Sequence, residues 1–225
     1  MLLSGVINLD KPAGLTSARL VDRVKRLLPR GTKIGHAGTL DPFATGVLLL
    51  LVGKATKSCE TLMGQRKGYE ATVKLGARTA TDDLEAPEEP VEGCAIPTDE
   101  QVRAALARQV GAVEQRPPAF SAMKVGGQRA YKLARQGEAV EIKPRTVQVY
   151  SIDVLAYQWP TVRVRIECGR GTYIRAIARD LGEALGTGGY LTELRRTFVG
   201  AFHADAAVTL ETLQTEGVER HLKAL

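Results

Sequence analysis

The hydrophobic pattern changes period several times along these 225 residues, and each change predicts an element. "SGVINLDKP" opens as a short strand that closes at a Lys-Pro turn. Leu20, Val21, Val24, Leu27 and Leu28 then fall on one helical face; Thr16 or Ser17 caps that helix and Pro29 stops it. The apolar run "VLLLLV" (47–52) is far short of the ~18 residues of a membrane span and reads as a buried strand. A short helix around 55–63 leads into "GYEATVKLG" (68–76), where Tyr69, Ala71, Val73 and Leu75 alternate with more polar neighbours, the period of a strand. Thr98, with Gln101 three residues on, forms a capping box for a helix whose buried face carries Val102, Leu106 and Val110. "QRPPAFSAMKVGGQ" (115–128) is irregular, and a short basic helix follows in "RAYKLARQG". Strands are expected around 146–157 and over 162–168, and an amphipathic helix over 172–186 after the turn "GRG". Helices and strands are mixed without the regular alternation of a doubly wound fold, which makes the fold class α+β with a mixed sheet. No internal repeat or linker is visible, so residues 1–225 read as one body with a basic excursion over 116–145.

Composition narrows the chemistry. A 44% hydrophobic content is ample for a buried core. Cys59, Cys94 and Cys168 are widely spaced with no CxxC pair, and His36, His203 and His221 are scattered, so neither a disulfide framework nor a zinc site follows. The N-terminus lacks the basic start, apolar middle and small-residue cleavage site of a secretory signal. A reduced, cytoplasmic, metal-free protein is expected. The net charge of +6 is unevenly spread. Residues 82–92, "DDLEAPEEPVE", hold six acids and no base and read as a solvated loop. Residues 116–145 hold seven bases against Glu138 and Glu141, and the run from Arg163 to Arg196 adds seven arginines. Such segregation is an electrostatic footprint for a polyanion.

Two familiar catalytic motifs fail. "GVLLLLVGKAT" suggests a phosphate-binding P-loop, but Leu48 and Ala55 stand where that motif needs Gly and Ser or Thr. The GxSxG of a nucleophile elbow is absent. What stands out is "GHAGTLDPFATG" (35–46), a loop of glycine, small residues and proline around one carboxylate, Asp41. An Asp in a turn often only caps neighbouring backbone N–H groups. Here Pro42 steers Asp41 toward extended backbone, and Gly35, Gly38 and Gly46 permit close approach of another chain. That combination presents a carboxylate rigidly, as a nucleophile or base requires. A carboxylate so used needs a fixed cation, and "GRGTYIR" offers Arg175 on the first turns of a helix.

Taken in order, "GVINLDKPAGLTS", "GHAGTLDPFATGVLLL", "GKATK", "KGYEATVKLG", "FSAMKVGGQRAYKLARQG", "GTYIRAIARDLG" and "LTELRRTFVG" resemble the successive motifs of the TruB family of tRNA pseudouridine synthases, from about residue 5 to about residue 213. The resemblance implies the pseudouridine synthase fold: a mixed, largely antiparallel sheet flanked by helices and loops. It implies an isomerase, without cofactor or metal, that converts a uridine of the tRNA T-loop (position 55 in the family) to pseudouridine. The base leaves C1′ through N1, turns, and rejoins through C5. Asp41 would be the catalytic carboxylate, with three routes left open: attack on C1′, addition to the base, or a glycal path begun by loss of a 2′ proton. Arg175 would pair with it. Tyr69 would stack on the target base and take part in proton transfer. His36 would fill the space that flipped bases leave, Tyr173 and Leu194 would line the uracil pocket, and Lys11 with Pro12 would match the first motif, Lys11 bracing the active-site loop. Residues 116–145 resemble the family's RNA-binding thumb, in which Lys132 and Arg135 would hold phosphates and Gly126-Gly127 would act as a hinge.

The same resemblance carries a departure: the sequence ends at Leu225, where typical bacterial members continue into a small C-terminal PUA domain, so a catalytic domain without that domain is expected. The expected partner is the T-arm stem-loop of tRNA, bound by a monomer with no membrane association. Rival readings are a guide-dependent H/ACA-type synthase, a noncatalytic RNA-binding protein or tRNA chaperone, and a glycoside hydrolase. The last would need two facing carboxylates, and only Asp41 has a suitable setting.

Overall fold

The computed structural model describes residues 3–121, 123–125, 128–129 and 142–224, which fall into two compact units, Met1–Glu70 with Leu194–Leu225 and Ala71–Glu193. The expected basic helix, Gly126-Gly127, Lys132 and Arg135 lie outside the described residues. Two strands run through both units: β4 (Lys67–Leu75) and β12 (Gly189–Val199).

In the first unit, β1 (Gly5–Lys11) pairs antiparallel with β3 (Thr45–Val52), from Gly5 opposite Val52 to Lys11 opposite Gly46. The short β2 (Ile34–His36) also pairs antiparallel with β3, and β12 pairs parallel with it at Arg195–Thr45 and Arg196–Gly46. Strand β3 explains its own unbroken apolar run. Leu48, Leu50 and Val52 pack with Ile7, Leu9 and helix residues Leu20, Val24 and Leu213, while Val47, Leu49 and Leu51 pack with Val6, Leu62 and Val199. Both faces are covered over Val47–Val52, so no position of that run is left to be polar; each leucine so buried stabilises by roughly 1.5–3 kcal/mol.

Helix α1 (Ser17–Lys25) starts as the sequence predicts: the Thr16 hydroxyl accepts from the Arg19 amide. It ends earlier than predicted. Arg26 is its C-cap, the chain turns there, and Leu27 is 37% exposed instead of facing the core. The predicted helix around 55–63 is a 3-10 turn (Gly53–Ser58) followed by α2 (Cys59–Gly64). A short α5 (Leu210–Glu216) covers β1 from the C-terminal segment.

The second unit is built on β10 (Arg145–Gln158), which pairs antiparallel with β11 (Thr161–Cys168) on one side and β7 (Gly111–Gln115) on the other. Helix α3 (Asp99–Ala107) has both bonds of its capping box, Gln101 amide to Thr98 Oγ1 at 3.2 Å and Thr98 amide to Gln101 Oε1 at 2.8 Å. It buries Val102 and Leu106, but stops before Val110, which is exposed. Helix α4 (Ile174–Leu185) closes at Gly186 in the left-handed conformation. The remaining strands, β5 (Ala77–Arg78) with β6 (Glu89–Pro90), β8 (Lys124–Val125) with β9 (Gln128–Arg129), and β13 (Phe202–His203) on β12, are two-residue pairs. The sheets are mixed and mostly antiparallel, with helices, as the α+β reading requires. Among the described residues no helix is long and apolar enough to cross a membrane.

The acidic stretch 82–92 is not simply a solvated loop. Asp83 is 1% exposed and ion-paired with Arg175, and Glu88 accepts from Lys74 and Tyr190. The arginine run 163–196 likewise is not one basic face. Arg163, Arg165 and Arg170 are exposed, but Arg175 and Arg196 lie inside.

Candidate active site

In the first unit the carboxylate loop, residues 37–44, joins β2 to β3 and carries no regular structure of its own. Its backbone carbonyls are bound one after another by three buried side chains. Arg196 on β12 donates from Nε to the Val47 carbonyl (2.6 Å), and from its two terminal nitrogens to Gly38 (3.2 Å) and Thr39 (3.5 Å). The Ser17 hydroxyl, at the start of α1, donates to the Leu40 carbonyl (3.1 Å) and accepts from the Leu40 amide (3.0 Å). Lys11, the last residue of β1, donates to Pro42 (3.0 Å), Ala44 (2.6 Å) and its neighbour Pro12 (3.0 Å). The Gly14 amide adds a bond to the Pro42 carbonyl at 2.9 Å. A loop in which five residues around Asp41 are tied through their main chain has little freedom left, so the half-buried Asp41 is presented in a set direction.

The approach of β12 to β3 sets this arrangement. Gly46 has φ +98°, and a Cβ there would sit 2.2 Å from the Arg196 carbonyl oxygen, so only glycine lets the two backbones meet.

Two long cations reach this one loop. Burial lowers the Lys11 ammonium to about 8, the Asp41 carboxylate opposing and Arg196 adding to the shift. His36, next to the loop, is also held below its ordinary value, first by burial and then by Arg196, with a backbone bond at Gly38 opposing. Its Nδ1 is buried with no hydrogen-bond partner among the described residues. The Lys11 shift has a testable sign. The unfolded chain keeps the Lys11 proton to about pH 10.4, whereas the folded chain releases it near 8. Between those values the unfolded state binds more protons, so the Lys11 contribution to stability grows with pH and is smallest below 8. In urea unfolding, the stability gap between wild type and Lys11→Met is expected to widen from pH 7.5 to pH 10 by about 1–3 kcal/mol. A constant gap would mean that Lys11 titrates normally.

Tyr69 and Leu194 belong to the same unit, each 7% exposed, on β4 and β12. Tyr69 heads the buried file of β4 that continues through Ala71, Val73 and Leu75, as the alternation predicts. On β12, Arg195 forms a two-pronged pair with Asp10, 3.1 and 2.8 Å.

Arg175 and Tyr173 belong to the second unit. Arg175, on the first turn of α4, is 4% exposed, so it is no surface arginine. One terminal nitrogen reaches both Asp83 Oδ2 (3.2 Å) and the Thr81 carbonyl (3.0 Å); the other donates to the Phe120 carbonyl (3.0 Å). Asp83 in turn accepts from the Thr81 hydroxyl (2.6 Å) and the Glu85 amide (2.9 Å). Tyr173 is the N-cap residue of α4, and Gln115 fixes its backbone, accepting from the Tyr173 amide (2.8 Å) and donating to its carbonyl (3.1 Å). The Arg145 guanidinium lies 5.2 Å from the Tyr173 ring centroid and donates to the Gly171 carbonyl. Beside this group Asp82, at φ +59°, pairs with Arg179 (3.1 Å), and burial pushes its carboxyl up to about 6. No group of side chains suited to hold a metal ion occurs among the described residues.

The sequence singles out Asp41, His36, Lys11 and Arg175, but it gives no sign of the bonds that Arg196 and Ser17 make in the first unit or Asp83 and Gln115 in the second. Their partners are backbone groups or residues far away in the chain, and no local pattern announces them.

Comparison with known proteins supplies the family. A model described as the TruB family pseudouridylate synthase N-terminal domain matches residues 25–174, and one described as the tRNA pseudouridylate synthase B C-terminal domain matches residues 175–224. The chain is 49% identical over 222 residues to a tRNA pseudouridine synthase B of Arthrobacter sp. (strain FB24), covering 96% of this chain and 72% of that one. A protein of the same description from Aromatoleum aromaticum is 45% identical over 230 residues, covering 100% and 72%. Among solved structures, a chain in a Cbf5-Nop10-Gar1 complex is similar with TM-score 0.72 and 31% identity, covering 96% of this chain and 57% of that one.

Proposed function

Since this chain belongs to the TruB family of pseudouridylate synthases, we propose that it isomerises uridine to pseudouridine in the T-loop of tRNA, with Asp41 as the catalytic carboxylate. The observation that carries the reading is the tethered loop of residues 37–44, whose main chain is anchored by Lys11, Ser17 and Arg196 on both sides of Asp41. In the reaction the N1–C1′ bond breaks, the uracil turns, and a C5–C1′ bond forms; C5 loses its proton and N1 gains one, so neither redox change nor hydrolysis is involved. The target base has to be drawn from a folded loop at a cost of a few kcal/mol. Stacking on the Tyr69 ring offsets roughly 1–3 kcal/mol of it. His36, kept neutral by burial and by Arg196, fills space left by displaced bases without adding a charge. Leu194 contacts the uracil, and Lys132 and Arg135 bind T-arm phosphates. The enzyme acts in the cytoplasm as a monomer.

The direct test is incubation with an unmodified tRNA transcript and with its T-arm hairpin, followed by chemical mapping of pseudouridine. Product at the T-loop uridine supports the reading; tight binding without product would make the chain an RNA-binding protein. A guide-dependent reading is supported by likeness to a chain of an H/ACA RNP bound to a substrate RNA, at 28% identity and TM-score 0.71. The higher identity to the tRNA pseudouridine synthase B proteins supports the guide-free reading. Activity on tRNA with no guide RNA present separates the two. Tyr69→Phe tests the hydroxyl: binding should be retained and turnover lost. Unchanged turnover would leave Tyr69 a stacking platform only.

A further inference from the structure

A groove of about 540 Å³ opens in the first unit between the end of α1, the turn at residues 29–32, β2 and the 3-10 turn after β3. Lys25, Gly31, Thr32, Lys33, Gly35 and Thr56 are among its lining residues. From position 23 to 57 the sequence carries Arg23, Lys25, Arg26, Arg30, Lys33, Lys54 and Lys57, and Asp41 is the one acid in that span. Lys25 and Lys33 are exposed and make no salt bridge among the described residues. Lys25 and Lys33 are the charged residues among those that line the groove, which is therefore cationic.

Two details say what fits. The Thr32 hydroxyl donates to the Pro29 carbonyl (2.7 Å) and the Thr56 hydroxyl to the Gly53 carbonyl (2.8 Å). With its proton on a carbonyl, each hydroxyl oxygen keeps lone pairs that can accept from a ligand. A phosphate oxygen gains nothing from an acceptor, but a ribose 2′-hydroxyl can donate to one. Gly35 gives the second detail. Its backbone is not left-handed, and a Cβ there would meet nothing within 4 Å. Neither backbone conformation nor packing calls for glycine at this strand position; what glycine leaves is room in the groove.

We infer that this groove seats a ribose-phosphate strand of the RNA substrate, with Lys25 and Lys33 on phosphates and the Thr32 and Thr56 oxygens on 2′-hydroxyls. The inference rests on the reading that the chain acts on RNA. It adds contact residues at the foot of the strand that feeds the Asp41 loop through Gly35 and His36. Phosphate contacts of this kind fix register and do not read sequence.

The test is equilibrium binding of the full chain to an unmodified tRNA across a salt series, with the all-2′-deoxy strand of the same sequence in parallel. Lys25→Ala with Lys33→Ala should flatten the logarithmic salt dependence by about one to two units. Arg108→Ala with Arg220→Ala, two exposed cations elsewhere, removes the same charge and should leave the slope unchanged. Gly35→Val should keep or raise the thermal midpoint while weakening tRNA binding by about tenfold, a filled groove in an intact fold. Thr56→Val should narrow the preference for tRNA over its deoxy counterpart. Equal slopes for the two double variants, or undiminished binding by a folded Gly35→Val, would overturn the groove assignment. Because no readout is turnover, a chain that bound RNA here and formed no pseudouridine would sink the proposed function and leave the groove standing.

Discussion

Asp41→Asn is expected to fold, to bind tRNA about as well as wild type, and to make no detectable pseudouridine. The amide has the shape of the carboxylate but neither its charge nor its basicity, and a positioned acid–base or nucleophilic group contributes roughly 10²–10⁴-fold or more. The loop should survive, because its anchors at Gly38, Thr39, Leu40, Pro42 and Ala44 are main-chain groups bound by Arg196, Ser17 and Lys11. One secondary effect is expected. The Asp41 carboxylate opposes the lowering of the Lys11 pKa, so its removal should push Lys11 further down. Single-turnover assays on unmodified tRNA, with circular dichroism and binding as controls, decide the matter. Turnover within tenfold of wild type would remove Asp41 from the chemistry.

The second large effect is on folding. Arg175→Leu leaves Asp83, 1% exposed, without its ion-pair partner, and strips a hydrogen bond from each of the Thr81 and Phe120 carbonyls. Breaking a buried pair from one side costs about 3–5 kcal/mol, because the remaining charge stays buried. Arg175→Lys keeps the charge, yet a single ammonium cannot reach three acceptors that the planar guanidinium spans with two nitrogens. The leucine variant should therefore lose most, the lysine variant an intermediate amount, and Arg175→Leu with Asp83→Leu should recover part of the loss. Denaturant unfolding of the three variants gives the ordering. A leucine variant within 1 kcal/mol of wild type would mean that the pair is dispensable.

Sequence pattern and structure agree where the determinants are local. The Thr98–Gln101 box lies within four residues, the Tyr69–Leu75 alternation is a strand period, and the apolar run of β3 states its own double burial. Helix ends were less legible. Leu27 and Val110 continue an apolar spacing past the last helical turn, and nothing in periodicity says that the chain has already bent away. The buried cations were the least legible of all. Arg196 is followed in sequence by ordinary strand residues and reads as one more base in a basic run. Its acceptors are carbonyls about 150 residues earlier, and a carbonyl has no letter in the sequence. The same holds for Asp83, which reads as part of an acidic loop until Arg175 is placed beside it.

Gly46 has a consequence for selection experiments. A library of single substitutions screened for pseudouridine formation should deplete every alternative at position 46 as completely as at position 41, and the two columns of such a map would look alike. Their causes differ. At position 46 a side chain forces a left-handed backbone into strain and drives a carbon to 2.2 Å from the Arg196 carbonyl oxygen, so the protein should vanish from the soluble pool. At position 41 the protein should accumulate normally and be silent. Scored for abundance instead of activity, the map would separate the two columns, and intolerance at Gly46 would be recognised as a demand of assembly rather than of chemistry.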